Sequence, residues 1–360
     1  IKGDNMIGLI FCGDLKYCPY INRYIERLEK NNSEYCVYFW NRGGFNLDLP
    51  ENYIAYNSTS NLNKSKIGKV IDFLKFRKWI LKRIKIDNPK KIIVLSTLTG
   101  VVLGKYLYKS SRKYVFDIRD YSYEHIKPFY KIEKKVIANS YFTAISSKGF
   151  QEFLPKFDYV IAHNFNRNDL IKGKKINKFN NKINFVWNGV IRYFEFQKDY
   201  LNALKNDERY EIIFHGDGPE LILYKNYCEA NGFTNVIFTG SYDNSEKGEL
   251  LKNAGVLNNC YGYPHNAGNK LKYAVSNRFY DGIIYHIPQL VEPYGYKTNW
   301  TKKAGIGVSF IPSSNFADEL FNYYKSIDSE AFDNACDNAL REVIAEDDEY
   351  IKKIDCFINM

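Results

Sequence analysis

Short runs of apolar residues alternate along the chain with segments in which apolar residues recur every three or four positions. In the first half, the runs predict strands at 7–12, 35–40, 92–96, 114–118, 143–145 and 159–162. Helical spacing lies between them, as in Ile21, Tyr24, Ile25 and Leu28. Strands separated by amphipathic helices predict an α/β fold with parallel pairing.

The alternation stops at residues 166–182, where Asn and Lys dominate, and then restarts. The second half predicts strands at 183–187, 211–214, 236–239, 255–258 and 289–291. We therefore expect a linker at 166–182 between two Rossmann-like domains, residues 1–166 and residues 183–345.

Composition narrows the class of protein. The 360 residues are 45% hydrophobic and 26% charged, which excludes a disordered or collagen-like chain. No apolar run is long enough to span a membrane, residues 1–5 lack the apolar core of a secretory signal, and Met6 is a candidate natural start. Seven cysteines without a C-x-x-C pair predict reduced, buried thiols in a cytoplasmic protein, and the dispersed histidines predict no structural metal.

Charge is distributed unevenly. Residues 1–182 contain 34 Lys/Arg and 16 Asp/Glu (+18), and residues 183–360 contain 17 and 25 (−8). The basic half indicates an anionic partner, either nucleic acid or the cytoplasmic membrane surface. Within it, Lys64–Lys91 has 11 basic residues, an apolar stripe and aromatic residues. This segment predicts a helix that binds an anionic membrane, or one that packs on its sheet with a solvated basic face.

Three patterns in the second half carry candidate chemistry. Gly216, Asp217, Gly218 and Pro219 follow a strand and precede a helix, which suits either phosphate binding or an ordinary tight turn. The pattern lacks the third glycine of a dinucleotide fingerprint, and the chain has no P-loop. The second pattern is a pair of cations after a strand, Arg192 and Lys198, which could neutralise a diphosphate. The third is a helix with an amide, a cation and a carboxylate (Asn277, Arg278 and Asp281), which could hold a ribose and a diphosphate.

The order of these patterns resembles the donor domain of GT-B glycosyltransferases, in particular family 4 and its bacterial capsular and exopolysaccharide branch. Asp281 stands where that family usually has Glu, and Arg278 stands where it has Lys. The first of the family's two spaced glutamates is absent, because position 273 is Tyr. The resemblance implies two domains facing across a cleft, with a C-terminal helix at about 346–360 packed back on the first.

The resemblance also implies site roles. Arg192 and Lys198 would act on the donor diphosphate as catalytic cations, with Lys270 as a further basic candidate. Asp281 would accept hydrogen bonds from the ribose, and Tyr242 would border the nucleobase. The donor would be a nucleotide-diphosphate sugar, expected to be a UDP-sugar, with no metal cofactor and with retention of anomeric configuration.

The segment from Val115 to His125 resembles an Arg-Asp-Leu-Trp-Pro-Glu segment of related transferases. Its Asp120, Glu124 and His125 are candidates to orient or deprotonate an acceptor hydroxyl, and Gly13 would face the same cleft. The alternative is that Asp117 and Arg119 pair structurally while Glu124 and His125 begin a helix.

These observations predict a glycosyltransferase of surface polysaccharide biosynthesis. It would move a sugar from a nucleotide sugar to a saccharide acceptor, expected to be lipid-linked, at the inner face of the cell membrane. The alternatives are a nucleic-acid-binding protein that uses the basic half, and a GT-B sugar-nucleotide epimerase. No reader module for nucleic acid is present, so we expect no nucleic-acid partner.

Overall fold

The computed structural model describes residues 5–46, 48–60, 64–172, 182–262 and 271–360. The chain divides into two compact units. Unit 1 comprises Ile1–His163 and Ala345–Met360, and unit 2 comprises Asn164–Ile344.

Unit 1 contains a parallel sheet of seven described strands in the order β3-β2-β1-β4-β5-β6-β7. The strands are β1 (Ile7–Phe11), β2 (Tyr35–Asn41), β3 (Tyr53–Asn57), β4 (Lys91–Leu95), β5 (Lys113–Ile118), β6 (Phe142–Ile145) and β7 (Tyr159–Ile161). The described helices are α1 (Ile21–Lys30), α2 (Lys66–Asp87), α3 (Thr97–Leu103), α4 (Lys105–Lys109) and α5 (Lys127–Ala138), with 3₁₀ turns at Leu15–Tyr17 and Lys148–Glu152.

Unit 2 repeats this architecture with six described parallel strands in the order β10-β9-β8-β11-β12-β13. The strands are β8 (Ile183–Asn188), β9 (Tyr210–His215), β10 (Val236–Gly240), β11 (Val256–Asn259), β12 (Gln289–Val291) and β13 (Gly307–Val308). The described helices are α6 (Arg167–Lys172), α7 (Phe194–Ala203), α8 (Leu221–Ala230), α9 (Lys247–Leu251), α10 (Asn277–Ile284), α11 (Tyr296–Ala304), α12 (Phe316–Ser326) and α13 (Ser329–Asn359), of which the last continues into unit 1.

Two parallel α/β sheets confirm the predicted fold class. The sequence pattern missed β3, an edge strand whose side chains are mostly half-exposed, and the two-residue β13. The predicted linker region begins with the short helix α6, and residues 173–181 lie outside the described part of the chain. All seven cysteines are free thiols; six are buried and Cys356 is exposed.

The end of α13 belongs to the core of unit 1. Tyr350, Ile354 and Phe357 are at most 1% exposed and pack with the apolar residues of β1, β2 and α1. Polar contacts fix the same helix, because Arg27 forms a bidentate pair with Asp355. No helix in the described residues has the length and apolar character required to cross a membrane.

Candidate functional site

The strand order of unit 2 reverses at β8, which pairs with β9 on one side and β11 on the other. In parallel sheets, ligands bind beyond the carboxyl ends of the strands at such a reversal. Asn188 is the last residue of β8 and Gly189 follows it. Gly216 follows β9, and Asn259 is the last residue of β11.

The turn that follows β9 packs closely against the turn that follows β8, and its glycines make this contact possible. A Cβ on Gly216 would lie 2.0 Å from the carbonyl oxygen of Gly189, and one on Gly218 would lie 2.3 Å from that of Ile191. Gly216 also has a positive φ of 140°. The Gly216–Gly218 turn therefore requires glycine for backbone contact with its neighbour, which satisfies the tight-turn interpretation without a ligand.

Arg278 on α10 is the central cation of these strand ends. Its side chain is buried: Nε donates to the Asn188 carbonyl at 2.7 Å and Nη1 to the Asn258 carbonyl at 2.9 Å. The guanidinium lies 3.6 Å from the centre of the Trp187 ring. Nη2 has no hydrogen-bond partner among the described residues, and it is 3.8 Å from the position of a Cβ on Gly189.

A second guanidinium, that of Arg192, acts on Arg278 through its charge. It is exposed, and its guanidinium carbon lies 4.9 Å from the ring centre of Tyr193. Burial, together with the charge of Arg192, lowers the pKa of Arg278. In the described part of the chain neither guanidinium forms an ion pair with a carboxylate. Two such cations without a bound carboxylate can pair with an anion.

Asp281 lies one helical turn beyond Arg278 and is also buried. One oxygen lies 2.7 Å from Lys247 Nζ, and the other accepts from Asn188 Nδ2 at 2.9 Å. Burial raises the pKa of the Asp281 carboxyl, and Lys247 opposes that rise. Burial raises the pKa of the Tyr242 hydroxyl, and the charges of Asp281, Lys247 and Arg278 also act on it, so Tyr242 lies near these three predicted or observed charged groups.

Lys247 also pairs with Asp169 of α6 at 2.6 Å. Burial alone would lower the pKa of the Lys247 ammonium, but Asp281 and Asp169 raise it above its usual value. The ammonium thus holds two buried carboxylates. Sequence reasoning missed Lys247 and Asn188, because no local pattern distinguishes them from other polar residues near strands and short helices.

The other predicted donor residues differ from Arg278 and Asp281 in their surroundings. Lys198 pairs with Glu195 at 2.6 Å on the outer face of α7. The titratable groups near its ammonium are Glu195, Asp199 and Tyr227. Asp217 and Pro219 are exposed in the glycine turn, and Asn277 is exposed at the start of α10. Lys270 lies outside the described residues.

In unit 1, Asp117 and Arg119 form a buried pair. Arg119 Nε lies 2.5 Å from one Asp117 oxygen and Nη2 lies 2.9 Å from the other, while Nη1 donates to the Ala162 carbonyl. Tyr24 donates to the same carboxylate at 2.7 Å. These two charged groups satisfy each other, as the structural interpretation of the segment expected.

The three acceptor-side candidates follow β5. Asp120 and His125 are exposed, and the His125 ring stacks on Tyr121 at 6.4 Å between ring centres. Glu124 is buried; its Oε2 accepts from the Ser122 amide at 2.6 Å, and Oε1 has no hydrogen-bond partner in the described residues. Gly13 lies at the carboxyl end of β1, in the same unit.

Glu133 on α5 is a titratable neighbour of Glu124 that the sequence did not reveal. It is fully buried, and neither carboxyl oxygen has a hydrogen-bond partner among the described residues. Burial and the charge of Glu124 raise the pKa of Glu133 to about 9. Burial raises the pKa of Glu124 as well, and Asp120 adds to that rise. Glu133 is therefore protonated at neutral pH.

Within the described residues, no group of three or more His, Cys, Asp or Glu side chains could hold a metal ion.

Comparison with known proteins gives the fold class. No protein-family model and no curated protein sequence matches the chain. The structure is similar to that of HepE from Anabaena, solved with UDP, at 13% identity and a TM-score of 0.67, over 98% of this chain and 100% of that one. It is also similar to the lipopolysaccharide outer core galactosyltransferase WaaB, at 15% identity and a TM-score of 0.57, over 92% and 94% of the two chains.

A third similar structure is a protein from Listeria monocytogenes assigned as a UDP-N-acetylglucosamine 2-epimerase. The identity is 11% and the TM-score is 0.56, over 93% of this chain and 91% of that one. At these identities the likeness establishes the fold alone. The chain has the GT-B fold, which is built from two Rossmann-like domains.

Glu133 generates a test of the electrostatics of unit 1. Its pKa is about 9 in the folded protein and about 4.5 when the chain is unfolded, so between these values only the unfolded chain releases the proton. The free energy of unfolding should fall as pH rises from about 5 to 9, by up to ~1.4 kcal/mol per pH unit. Glu133→Gln should remove this slope and stabilise the protein at pH 8, as measured by urea unfolding.

Glu152→Gln, an exposed carboxylate in the same unit, is the control and should leave the slope unchanged. A Glu133→Gln variant that keeps the wild-type slope would show that Glu133 is ionised in the folded protein.

Proposed function

We propose that this protein is a glycosyltransferase that takes a sugar from a UDP-sugar donor. The observation that carries the proposal is the pair of guanidiniums, Arg278 and Arg192, at the strand reversal of unit 2 with no carboxylate bound to either in the described residues. A buried cation held by carbonyls and aromatic faces is costly unless an anion completes it. The diphosphate of a nucleotide sugar supplies such an anion, and HepE, which has this fold, was solved with UDP.

Negative charge develops on the diphosphate as it leaves the sugar. Arg278 and Arg192 would stabilise that charge, and Arg278 acts from a fixed position because two carbonyls hold it. Asp281 would bind the ribose, as the family 4 resemblance implies. Lys247 and Asn188 occupy one lone pair of each carboxylate oxygen, which leaves further lone pairs for ribose hydroxyls.

The acceptor hydroxyl would be oriented by residues of unit 1. Among Asp120, Glu124 and His125, Glu124 is the buried one, and its raised pKa brings it closer to the range of a general base at neutral pH. Retention of configuration and independence from metal ions are what the resemblance to family 4 implies for this reaction. The presence of a cation and a carboxylate, Arg278 and Asp281, in α10 supports the resemblance to that family.

The experiment that tests the function combines donor binding with product analysis. We expect calorimetry to detect UDP binding, and a panel of UDP-sugars incubated with saccharide acceptors to give a glycosylated product that persists in EDTA. Formation of an isomeric UDP-sugar from the donor alone would instead support the epimerase alternative, whose fold this chain shares. Strict dependence on Mg²⁺ or Mn²⁺ would contradict the proposed role of the guanidiniums.

Loss of either guanidinium should lower the rate of sugar transfer much more than loss of the Lys198 ammonium. Removing one charge-stabilising donor commonly costs on the order of 10²–10³ in rate, so Arg192→Ala and Arg278→Gln should each lower kcat by about that factor. Lys198→Ala is the matched control, because its ammonium pairs with Glu195 on an exposed face, and kcat should change less than about threefold. Equal losses in all three variants would place Lys198 at the diphosphate, as the sequence alone suggested.

We further propose that the acceptor is a lipid-linked saccharide of surface polysaccharide biosynthesis and that the protein binds the inner membrane face. Helix α2 supports this. Four apolar side chains spaced along one side of its first half are exposed: Ile67 (74%), Val70 (55%), Ile71 (47%) and Leu74 (58%). The buried side of the helix is formed by Phe76, Ile80 and Ile84, with Asp72 and Asp87.

Exposed lysines accompany these apolar residues, among them Lys66, Lys75, Lys78 and Lys82. Packing on the sheet does not use the exposed apolar side chains, so the solvated-face interpretation explains the lysines but not the apolar residues. An anionic bilayer accommodates both, since apolar side chains enter the headgroup boundary while ammonium groups contact lipid phosphates.

Membrane binding gives a direct prediction. Lys75→Glu with Lys78→Glu, and separately Ile67→Ser with Leu74→Ser, should each weaken binding to phosphatidylglycerol vesicles at least about tenfold in a sedimentation assay. Ile86→Ser is the control, because Ile86 is 59% exposed near the other end of α2. Wild-type affinity in both double variants would contradict membrane binding by α2. Salt-sensitive binding to single-stranded RNA in place of vesicles would favour the nucleic-acid alternative.

A further inference from the structure

An exposed aromatic and cationic cluster lies beyond β1 and β2 in unit 1. Tyr17 is 68% exposed at the end of the 3₁₀ turn Leu15–Tyr17, and Phe45 is 40% exposed in the loop after β2. The ammonium of Lys16 lies 3.9 Å from the ring centre of Phe45 and 5.0 Å from that of Tyr17. We call these three residues the aromatic platform.

The loop holds Phe45 in place. Asn41, buried at the end of β2, accepts from the Phe45 amide at 2.9 Å and donates to the Phe45 carbonyl at 2.8 Å. The ring covers Gly43, where a Cβ would lie 2.1 Å from Phe45 Cε2. Asn41 and Gly43 thus fix an aromatic residue that remains 40% exposed, which core packing does not explain.

The loops after β1 and β2 are joined. The Gly43 amide donates to Asp14 Oδ1 at 2.9 Å, and Asp14 itself is buried. This contact fixes the turn that carries Lys16 and Tyr17 against the loop that carries Phe45. The platform is therefore a prearranged surface made by two tied loops.

Its position favours a small polar ligand. The strand order of unit 1 reverses at β1, which pairs with β2 and β4, and ligands of parallel sheets bind beyond the carboxyl ends at such a reversal. Gly13 lies at that end of β1, three residues before Lys16. The apolar side chains of α2 that suit a bilayer are on a different element.

The chemistry of the platform indicates a saccharide that carries a negative charge. Sugar rings present C–H groups on one face, and these pack on the electron-rich face of an aromatic ring. Lys16 has no carboxylate partner or hydrogen-bond acceptor among the described residues, since its ammonium contacts the two rings alone. It is free to pair with a carboxylate or phosphate on the same ligand.

We propose that Lys16, Tyr17 and Phe45 form a binding subsite for an acidic saccharide, in which the rings stack on the sugar and Lys16 binds its carboxylate or phosphate. This proposal rests on the proposed function, because the saccharide would be the acceptor or a sugar unit next to it. It assigns specificity residues in unit 1 that the motif-based analysis did not identify.

The test uses the full chain on an array of bacterial surface glycans that contains neutral, uronate-bearing and phosphate-bearing saccharides. We expect the wild-type protein to retain acidic glycans, and Phe45→Ala and Tyr17→Ala each to reduce retention about tenfold or more. Lys16→Gln should reduce retention of acidic glycans more than that of neutral ones. Tyr141→Ala is the matched control, because Tyr141 is 41% exposed at the amino end of β6.

An array that retains no wild-type protein, or equal retention by wild type, Phe45→Ala and Tyr17→Ala, would overturn the proposal. So would loss of vesicle binding in these variants with glycan retention unchanged, since the platform would then be a membrane contact. UDP binding, measured in parallel, should be unchanged in every variant. A protein that retains glycans through the platform but binds no UDP would refute the proposed function while supporting the subsite.

Discussion

The buried guanidinium of Arg278 is the constraint around which the strand ends of unit 2 are organised. It uses the carbonyls of Asn188 and Asn258 and the face of Trp187, which hold the cation in place without neutralising it. The glycine at 189 leaves space beside Nη2. One turn along the same helix, Asp281 forms its ion pair with Lys247 and not with Arg278. The result is a fixed guanidinium, with no carboxylate bound to it in the described residues, at a point where parallel sheets bind ligands.

The contrast with unit 1 shows which buried charges are structural. Arg119 is as deeply buried as Arg278, but both oxygens of Asp117 bind it, and Tyr24 satisfies the same carboxylate. That network is complete without a ligand. Arg278 has no carboxylate bound to it in the described residues, and the charges that act on it are those of Asp281 and of a second cation, Arg192. These two arginines, which are buried to the same extent, are thus distinguished by their partners and not by their burial.

Several site residues followed from sequence order and others did not. Arg278 and Asp281 share one helix at a spacing of three, so their proximity could be predicted from the chain alone. Lys198 could not be placed in this way, because α7 begins at Phe194 and turns Gln197 inward and Lys198 outward. Lys247 is far from its partners along the chain, and only the fold brings it to Asp281.

The sequence by itself determined two parallel α/β units, because buried strands and amphipathic helices leave periodic patterns that depend on each segment alone. It also determined that Lys66–Asp87 is a basic helix. Only the tertiary structure decided which part of its apolar stripe is buried: Phe76 and Ile80 pack on the sheet, whereas Ile67 and Leu74 remain in solvent. The spacing of apolar residues shows which side of a helix is apolar. It does not show how many turns of that side pack against another part of the protein. The same limit applies to Phe45, whose exposure depends on contacts that join separate loops.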